Sequence, residues 1–232
     1  MIFLQYNSLD ELTDFASDFI IAELRKKPTA LVCAATGKSP TGTYKKLVEK
    51  QEQIKTDGLR FIKLDEWYGL PMGHSGTCEH YLQENLLKPL HISPEKYTSF
   101  VGDTDSPEAE CERIQIFLNE HGPIDICILG IGLNGHIAFN EPAAELHAGV
   151  HLSTLSQSSL KHSMVEGVDT KLEYGLTLGM ADILQSRKII LIVNGKHKRE
   201  ILNKLLSSHV STQLPASFLW LHPDVHCIYT EE

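Results

Sequence analysis

A chain of 232 residues, 42% hydrophobic and 22% charged, is long enough to bury one substantial core and suits a single domain over residues 1–232. Its net charge of −9 argues against a nucleic-acid partner, whose phosphates require a basic surface. No apolar run is long enough to span a bilayer, and Met1-Ile2-Phe3-Leu4-Gln5 lacks the basic start and long apolar stretch of a signal peptide, so a cytoplasmic protein without a membrane partner is expected.

Residues Leu9 to Lys27 place Leu12, Phe15, Ala16, Phe19, Ile20 and Leu24 on one face of a helix. "TALVCAAT" (Thr29 to Thr36) reads as a buried strand, Ser39 to Ile54 as a helix, and "LRFIKLDE" (Leu59 to Glu66) as a strand entering a loop rich in Gly and Pro. Thr77 to Leu87 reads as a helix and "YTSFV" as a short strand. Ser106 to Asn119 reads as a helix with Ser106 as N-cap and Pro107 at its first position. "IDICILGI" is a strand, and the region near Thr177 to Gln185 is expected to be helical. Then follow a strand at Lys188 to Val193, a helix from His197 to Leu206, a helical "ASFLWLH" and a last strand "HCIYT". Short apolar strands alternating with helices predict an α/β fold, a mostly parallel doubly wound sheet with helices on both faces. A small lid region is expected at about 145–175. The five cysteines, Cys33, Cys78, Cys111, Cys127 and Cys227, are odd in number, lack a C-x-x-C, and read as buried thiols.

In such a sheet ligands bind outside the carboxyl ends of the strands, so the residues that follow each strand are the candidates for chemistry. The first is "ATGKSPTGTY" (Ala35 to Tyr44). Gly37 permits a tight turn, Ser39-Pro40 reads as an N-cap and first helical residue, and the free N–H groups with Lys38 would form an anion site. A plain strand-to-helix turn is the alternative, and the glycine spacing is not that of a Walker A loop. The second is Asp65-Glu66 before Trp67-Tyr68, where a desolvated carboxylate can serve as a base, or an acid can simply cap a turn. The third is "GIGLNGHIAFNEP" (Gly130 to Pro142). Its first six residues fit a dinucleotide turn, but the motif is mid-chain, Ser153 to Ser159 holds no acid for a ribose, and Pro142 would interrupt the helix. The glycines are instead read as letting backbone approach a ligand, with His136 and Glu141 as a titratable pair rather than a core histidine and a surface acid. The fourth is "VNGKHKRE" (Val193 to Glu200), a cation cluster whose plainer reading is a solvated turn. His147/His151 and His222/His226 have four-residue spacing, yet no H-E-x-x-H or third ligand accompanies them, so no metal is expected. G-x-S-x-G is absent too. If the sheet is parallel, the four ends meet in one crevice suited to a small phosphorylated substrate undergoing proton transfer without a cofactor.

In this order, "ATGKSPTGTY", "LDEW", "GIGLNGHIAFNEP" and "YGLTLGM" resemble the glucosamine-6-phosphate isomerase/deaminase family over nearly the whole chain. Three details resemble its galactosamine-6-phosphate branch: "LDEW" followed by "GTCEHYLQ" (Gly76 to Gln83), Asn134, and "VSTQLPASFLWLH" (Val210 to His222). The resemblance implies an enzyme that opens an aminosugar 6-phosphate ring, moves a proton from C2 to C1 and releases ammonia. The product here would be tagatose 6-phosphate from galactosamine 6-phosphate, with glucosamine 6-phosphate as the alternative substrate. It implies Asp65 as the base that shuttles the C2 proton, His136 as the group that handles the ring-opening proton, and Glu141 as part of the same relay. Asn134 stands where the glucosamine enzymes have Asp. Its amide can accept a hydrogen bond from His136 but cannot stabilise an imidazolium by charge.

By the same resemblance Thr36, Gly37, Lys38 and Ser39 form the phosphate loop and Lys198 is a phosphate-binding lysine. The family's phosphate-binding arginine has no counterpart, and Lys161 and His162 are the nearby substitutes. The basic residues of the family's allosteric site lack counterparts around Glu145 to Leu152, so activation by an acetylated aminosugar phosphate is not expected. A 6-phosphogluconolactonase is the nearest rival, but that group carries Arg after the D-E pair and a G-H-T-A-S-L-F run. A non-catalytic sugar-phosphate sensor is the rival of another class, and it would bring a helix-turn-helix segment or basic extension. A homo-oligomer is left open.

Overall fold

The computed structural model describes residues 1–168 and 170–232. A strand, β1 (Ile2–Tyr6), and a helix, α1 (Leu9–Lys26), lead into β2 (Leu31–Ala34), α2 (Lys38–Glu49), β3 (Arg60–Lys63), β4 (Asp65–Tyr68) and α3 (Cys78–Leu82), which runs on as a π-helical turn over Gln83–Leu87. Next come β5 (Tyr97–Thr98), α4 (Pro107–His121), β6 (Ile126–Leu129), β7 (His151–Thr154) and α5 (Gln157–Leu160). The chain finishes with β8 (Tyr174–Thr177), α6 (Met180–Leu184), β9 (Lys188–Val193), α7 (Arg199–Leu206) and β10 (Val225–Thr230).

Seven strands form one sheet in the order β1-β10-β9-β6-β2-β3-β5, and every pairing in it is parallel. The two-residue repeat of a strand explains the two layers of core. Leu31, Cys33, Cys127, Leu129, Ile189 and Leu191 pack on one face, against Ile114 of α4, Ile183 of α6 and Ile201 of α7. Val32, Ala34, Ile126, Ile128, Ile190 and Ile192 pack on the other, against Leu12, Ile20 and Leu24 of α1 and Tyr44 and Leu47 of α2. All five cysteines are buried free thiols. After β2 the chain builds outward through β3 and β5, then β6 returns to the other side of β2. The carboxyl ends of β2 and β6 therefore flank the switch point, where a crevice opens in such sheets.

Several local expectations are corrected. β1 was not anticipated, because five residues beside the chain start offer too little pattern to separate strand from coil. The expected strand at 59–66 breaks at Leu64, and its last two residues leave the parallel sheet. Asp65–Tyr68 pairs antiparallel with β8, which pairs antiparallel with β7, giving a second, three-stranded sheet. The stretch expected to be helical from Thr177 instead completes β8, and α6 begins only at Met180. The stretch 145–175 contains β7, α5 and the start of β8. The N-cap of α2 is Gly37, not Ser39, so Pro40 lies in the third helical position. "ASFLWLH" forms a 3-10 helix over Pro215–Leu221. No helix among the described residues is long and apolar enough to cross a membrane.

Candidate active site

The switch point carries a cavity of about 370 Å³. Its floor is the turn after β2, where Gly37 adopts φ 95°, a left-handed conformation that side chains other than glycine resist. A Cβ there would also lie 3.3 Å from Nε2 of His162. The Gly37 carbonyl is held from behind by the hydroxyls of Thr41 and Tyr81, both at 2.9 Å, which leaves the first-turn N–H groups of α2 facing the cavity. Lys38 and Ser39 line the same wall. Thr36 lines it as well, but its hydroxyl is already donated to Sγ of Cys78 at 3.3 Å.

Of the cations that follow β9, one reaches in. Lys198 donates to the Ile131 carbonyl at 2.6 Å, and burial lowers its ammonium to about 8. Arg199 turns away to Glu231 at 2.7 Å. Lys161 and His162 line the same cavity. Burial, followed by the charges of His136, Lys198 and Lys38, lowers the proton affinity of His162. The local cations supply the positive field that the net charge does not.

Asp65 is the first residue of β4 and its carboxyl faces the cavity. It is buried, and its Oδ1 has no hydrogen-bond partner among the described residues. Burial, with the adjacent charge of Glu66 behind it, raises this carboxyl to about 7 against the opposing pull of Lys63 and the Cys78 thiol. A carboxyl poised there can both take and return a proton near neutral pH.

The third strand end shows what its glycines are for. A Cβ on Gly132 would collide with the ring of His136, so this glycine makes room for the imidazole itself. Gly130 and Gly132 also bring bare backbone to the cavity wall. Nδ1 of His136 lies 3.3 Å from Glu141 and 3.3 Å from the Ser159 hydroxyl, and Ser159 also donates to Glu141. Nε2 has no protein partner among the described residues and is the nitrogen available to a substrate. Burial raises the Glu141 carboxyl, but His136, Ser159 and Asn134 together outweigh it and bring it down to about 2. Asn134 donates to Glu141 at 2.8 Å and to Ser156 at 3.2 Å, and its oxygen accepts the backbone N–H of His136 at 3.2 Å. The expected bond from the His136 ring to Asn134 is thus replaced by a bond from the backbone, because Glu141 occupies the ring's Nδ1 side.

Asp65, His136, Thr36, Gly37, Lys38, Ser39, Lys161, His162 and Lys198 all line one cavity, while Asn134 and Glu141 stand behind His136. Sequence reasoning missed Ser156 and Ser159, which sit in a polar stretch with no periodicity to mark them. It also missed the aromatic wall of Trp67 and Phe139, whose rings lie 4.6 Å apart. Among the described residues, no three His, Cys, Asp or Glu side chains come together in a way that would hold a metal ion.

The family model for glucosamine-6-phosphate isomerases/6-phosphogluconolactonase matches residues 7–227. The chain is similar to the Escherichia coli (strain K12) protein named "Putative deaminase AgaI", 39% identical over 97% of this chain and 90% of that protein. It is 34% identical to the glucosamine-6-phosphate deaminase of Geobacillus sp. (strain WCH70), over 100% of this chain and 94% of the other. Among solved structures, a monomeric glucosamine-6-phosphate deaminase superposes with a TM-score of 0.93 at 31% identity, covering 99% of this chain and 97% of its own. A 6-phosphogluconolactonase from Thermotoga maritima superposes with a TM-score of 0.80 at 21% identity, covering 99% and 100%, a likeness of fold.

Proposed function

This chain belongs to the glucosamine-6-phosphate isomerase/6-phosphogluconolactonase family, and from that premise we propose that it converts galactosamine 6-phosphate and water into tagatose 6-phosphate and ammonia. It is an aldose–ketose isomerase/deaminase acting on an aminosugar 6-phosphate. Relatives above 30% identity bear deaminase names, whereas the lactonase resemblance stands at 21%.

In this reading the phosphate rests on the first turn of α2 at Thr36, Gly37, Lys38 and Ser39. Lys198, Lys161 and His162 supply charge in place of the missing arginine. Nε2 of His136 takes the proton of the C1 hydroxyl and passes it to O5 as the C1–O5 bond breaks, and anionic Glu141 steadies the imidazole while it is charged. Asp65 removes the C2 proton and delivers it to C1, so the aldehyde carbon is reduced as the amine-bearing carbon is oxidised. The resulting C2 imine takes up water and expels ammonia. The supporting observation is the buried Asp65 carboxyl, raised to about 7, in the same cavity as His136 and the Gly37 turn.

The choice of the galacto epimer rests on Asn134, "GTCEHYLQ" and "VSTQLPASFLWLH". Ammonia release from galactosamine 6-phosphate and glucosamine 6-phosphate, measured side by side, tests it. A higher kcat/KM for the galacto compound is expected, and a preference for glucosamine 6-phosphate overturns the assignment.

A further inference from the structure

Behind Asp65, on the side away from the cavity, lies a buried charge cluster that the proton relay does not use. Lys63 ends β3 and Glu66 is the second residue of β4; both side chains are 0% exposed. Strand alternation turns Glu66 away from the cavity that its neighbour Asp65 faces. The ammonium of Lys63 makes three bonds: to Glu66 at 2.7 Å, to Glu79 at 3.1 Å and to the Phe100 carbonyl at 2.9 Å. Glu66 accepts the Lys63 bond and the backbone N–H groups of Trp67 at 2.9 Å, Cys78 at 2.8 Å and Glu79 at 2.8 Å. Two of these N–H groups open α3, where a carboxylate is favoured. Glu79 also accepts from Gln83 and from the Tyr97 hydroxyl, both at 2.9 Å. Burial opposes its charge, but Lys63, Gln83 and Tyr97 prevail and hold its carboxyl below the usual range.

A buried ion pair is a poor investment in stability alone, since apolar residues of similar volume commonly serve as well. This cluster is one cation and two carboxylates with its hydrogen bonds satisfied, and its net charge is negative. It also spans β3, β4, α3 and β5, the elements around the point where the chain leaves the parallel sheet and Asp65 begins the antiparallel one. We propose that Lys63, Glu66 and Glu79 are positioning residues for the proton-transfer carboxyl: their bonds clamp the backbone at this crossing, and the Glu66 carboxylate, next in the chain, helps Asp65 hold a proton between taking and returning it. The proposal rests on the reading of Asp65 as the shuttle.

The groups facing Asp65 divide by sign. After burial, Glu66 favours its protonated form, while Lys63 and the Cys78 thiol favour the carboxylate. Cys33 of β2 and Tyr44 of α2 face it as neutral groups. His136, His162, Lys38 and Lys198 stand on the other walls of the cavity.

Two readouts on the full chain test the proposal: titration of Asp65 by carboxyl carbon NMR, and the pH profile of kcat/KM for ammonia release from whichever aminosugar 6-phosphate turns over. Glu66→Gln is expected to lower both the Asp65 midpoint and the acid limb by about 1 pH unit, and Cys78→Val to raise both by about half a unit. Mere loosening of the site would not give opposite signs. An unmoved Asp65 midpoint in folded Glu66→Gln overturns the proposal. A midpoint that moves while the profile stays upholds the electrostatic coupling and removes Asp65 as the base. If Glu66→Gln does not fold, Glu79→Gln decides: it withdraws a carboxylate from Lys63 at a side chain that is 17% exposed, leaves the ammonium's pull on Asp65 less offset, and should lower both readouts by a smaller amount. No shift there overturns the proposal.

Discussion

At the level of single residues, the chemistry depends on a carboxyl kept out of its ordinary range. Asp65→Asn should retain phosphosugar binding and lose solvent exchange of the C2 hydrogen by at least about 10²-fold, read by NMR in deuterated water. The same substitution has a stability signature. The folded pKa of Asp65 is about 7 against 3.8 for an ordinary exposed aspartate. The unfolded chain therefore ionises first, and stability is lost as pH rises from about 4 through about 7. Asp65→Asn removes that loss, so its Tm should exceed the wild type's by roughly 10 °C at pH 8 and by little at pH 4. His136→Gln keeps a donor but no base, and should impair ring opening more than the proton shuttle. A substrate presented in open-chain form should then recover much of the lost rate, in a stopped assay of ammonia. These two residues were legible because each closes an apolar strand or follows a glycine-rich turn. Ser159 was not, because what makes it matter is a distance to His136 and Glu141 across 23 and 18 positions of chain.

At the level of elements, Asp125 shows how the sheet is held at the end opposite the cavity. Its Oδ2 accepts the buried Leu31 N–H at 2.9 Å, while Oδ1 meets Lys27 at 2.7 Å and Arg187 at 3.2 Å. One side chain thereby ties together the starts of β2, β6 and β9. Asp125→Ala leaves the Leu31 N–H unsatisfied and should cost about 1–3 kcal/mol, a Tm lower by several degrees with KM nearly unchanged. The long periodic elements, α1, α4 and β9, were legible within one or two residues because each carries a full stripe or run of apolar side chains. The second sheet was not. β4, β7 and β8 are four residues each, and Asp65-Glu66 reads as the end of the preceding strand until Leu176 and Gly175 lie beside Glu66 and Trp67. Gly37 took the cap position expected of Ser39 because only the left-handed turn brings the loop under the cavity.

At the level of the whole molecule, the titrating groups combine into one profile. The shuttle requires ionised Asp65, so kcat/KM should rise through a midpoint near 7. Phosphate capture benefits from charged Lys198, so it should fall above about 8, giving a narrow bell. The bound phosphate stabilises the ammonium, so the alkaline limb of kcat should lie at higher pH than that of kcat/KM. A flat profile between pH 5 and 9 contradicts both assignments. Alternation of strand and helix, the burial of each strand and the short list of residues following them came from the sequence by itself, because periodicity records which side chains face apolar surroundings within a few turns. Only the tertiary structure decided that Asp65 belongs to a different sheet from Lys63, that Glu141 takes the Nδ1 side of His136 rather than Asn134, and that a negative cluster lies behind the base. Those are matters of register and long-range packing, where one residue of slip reverses every side chain, and no local pattern encodes them.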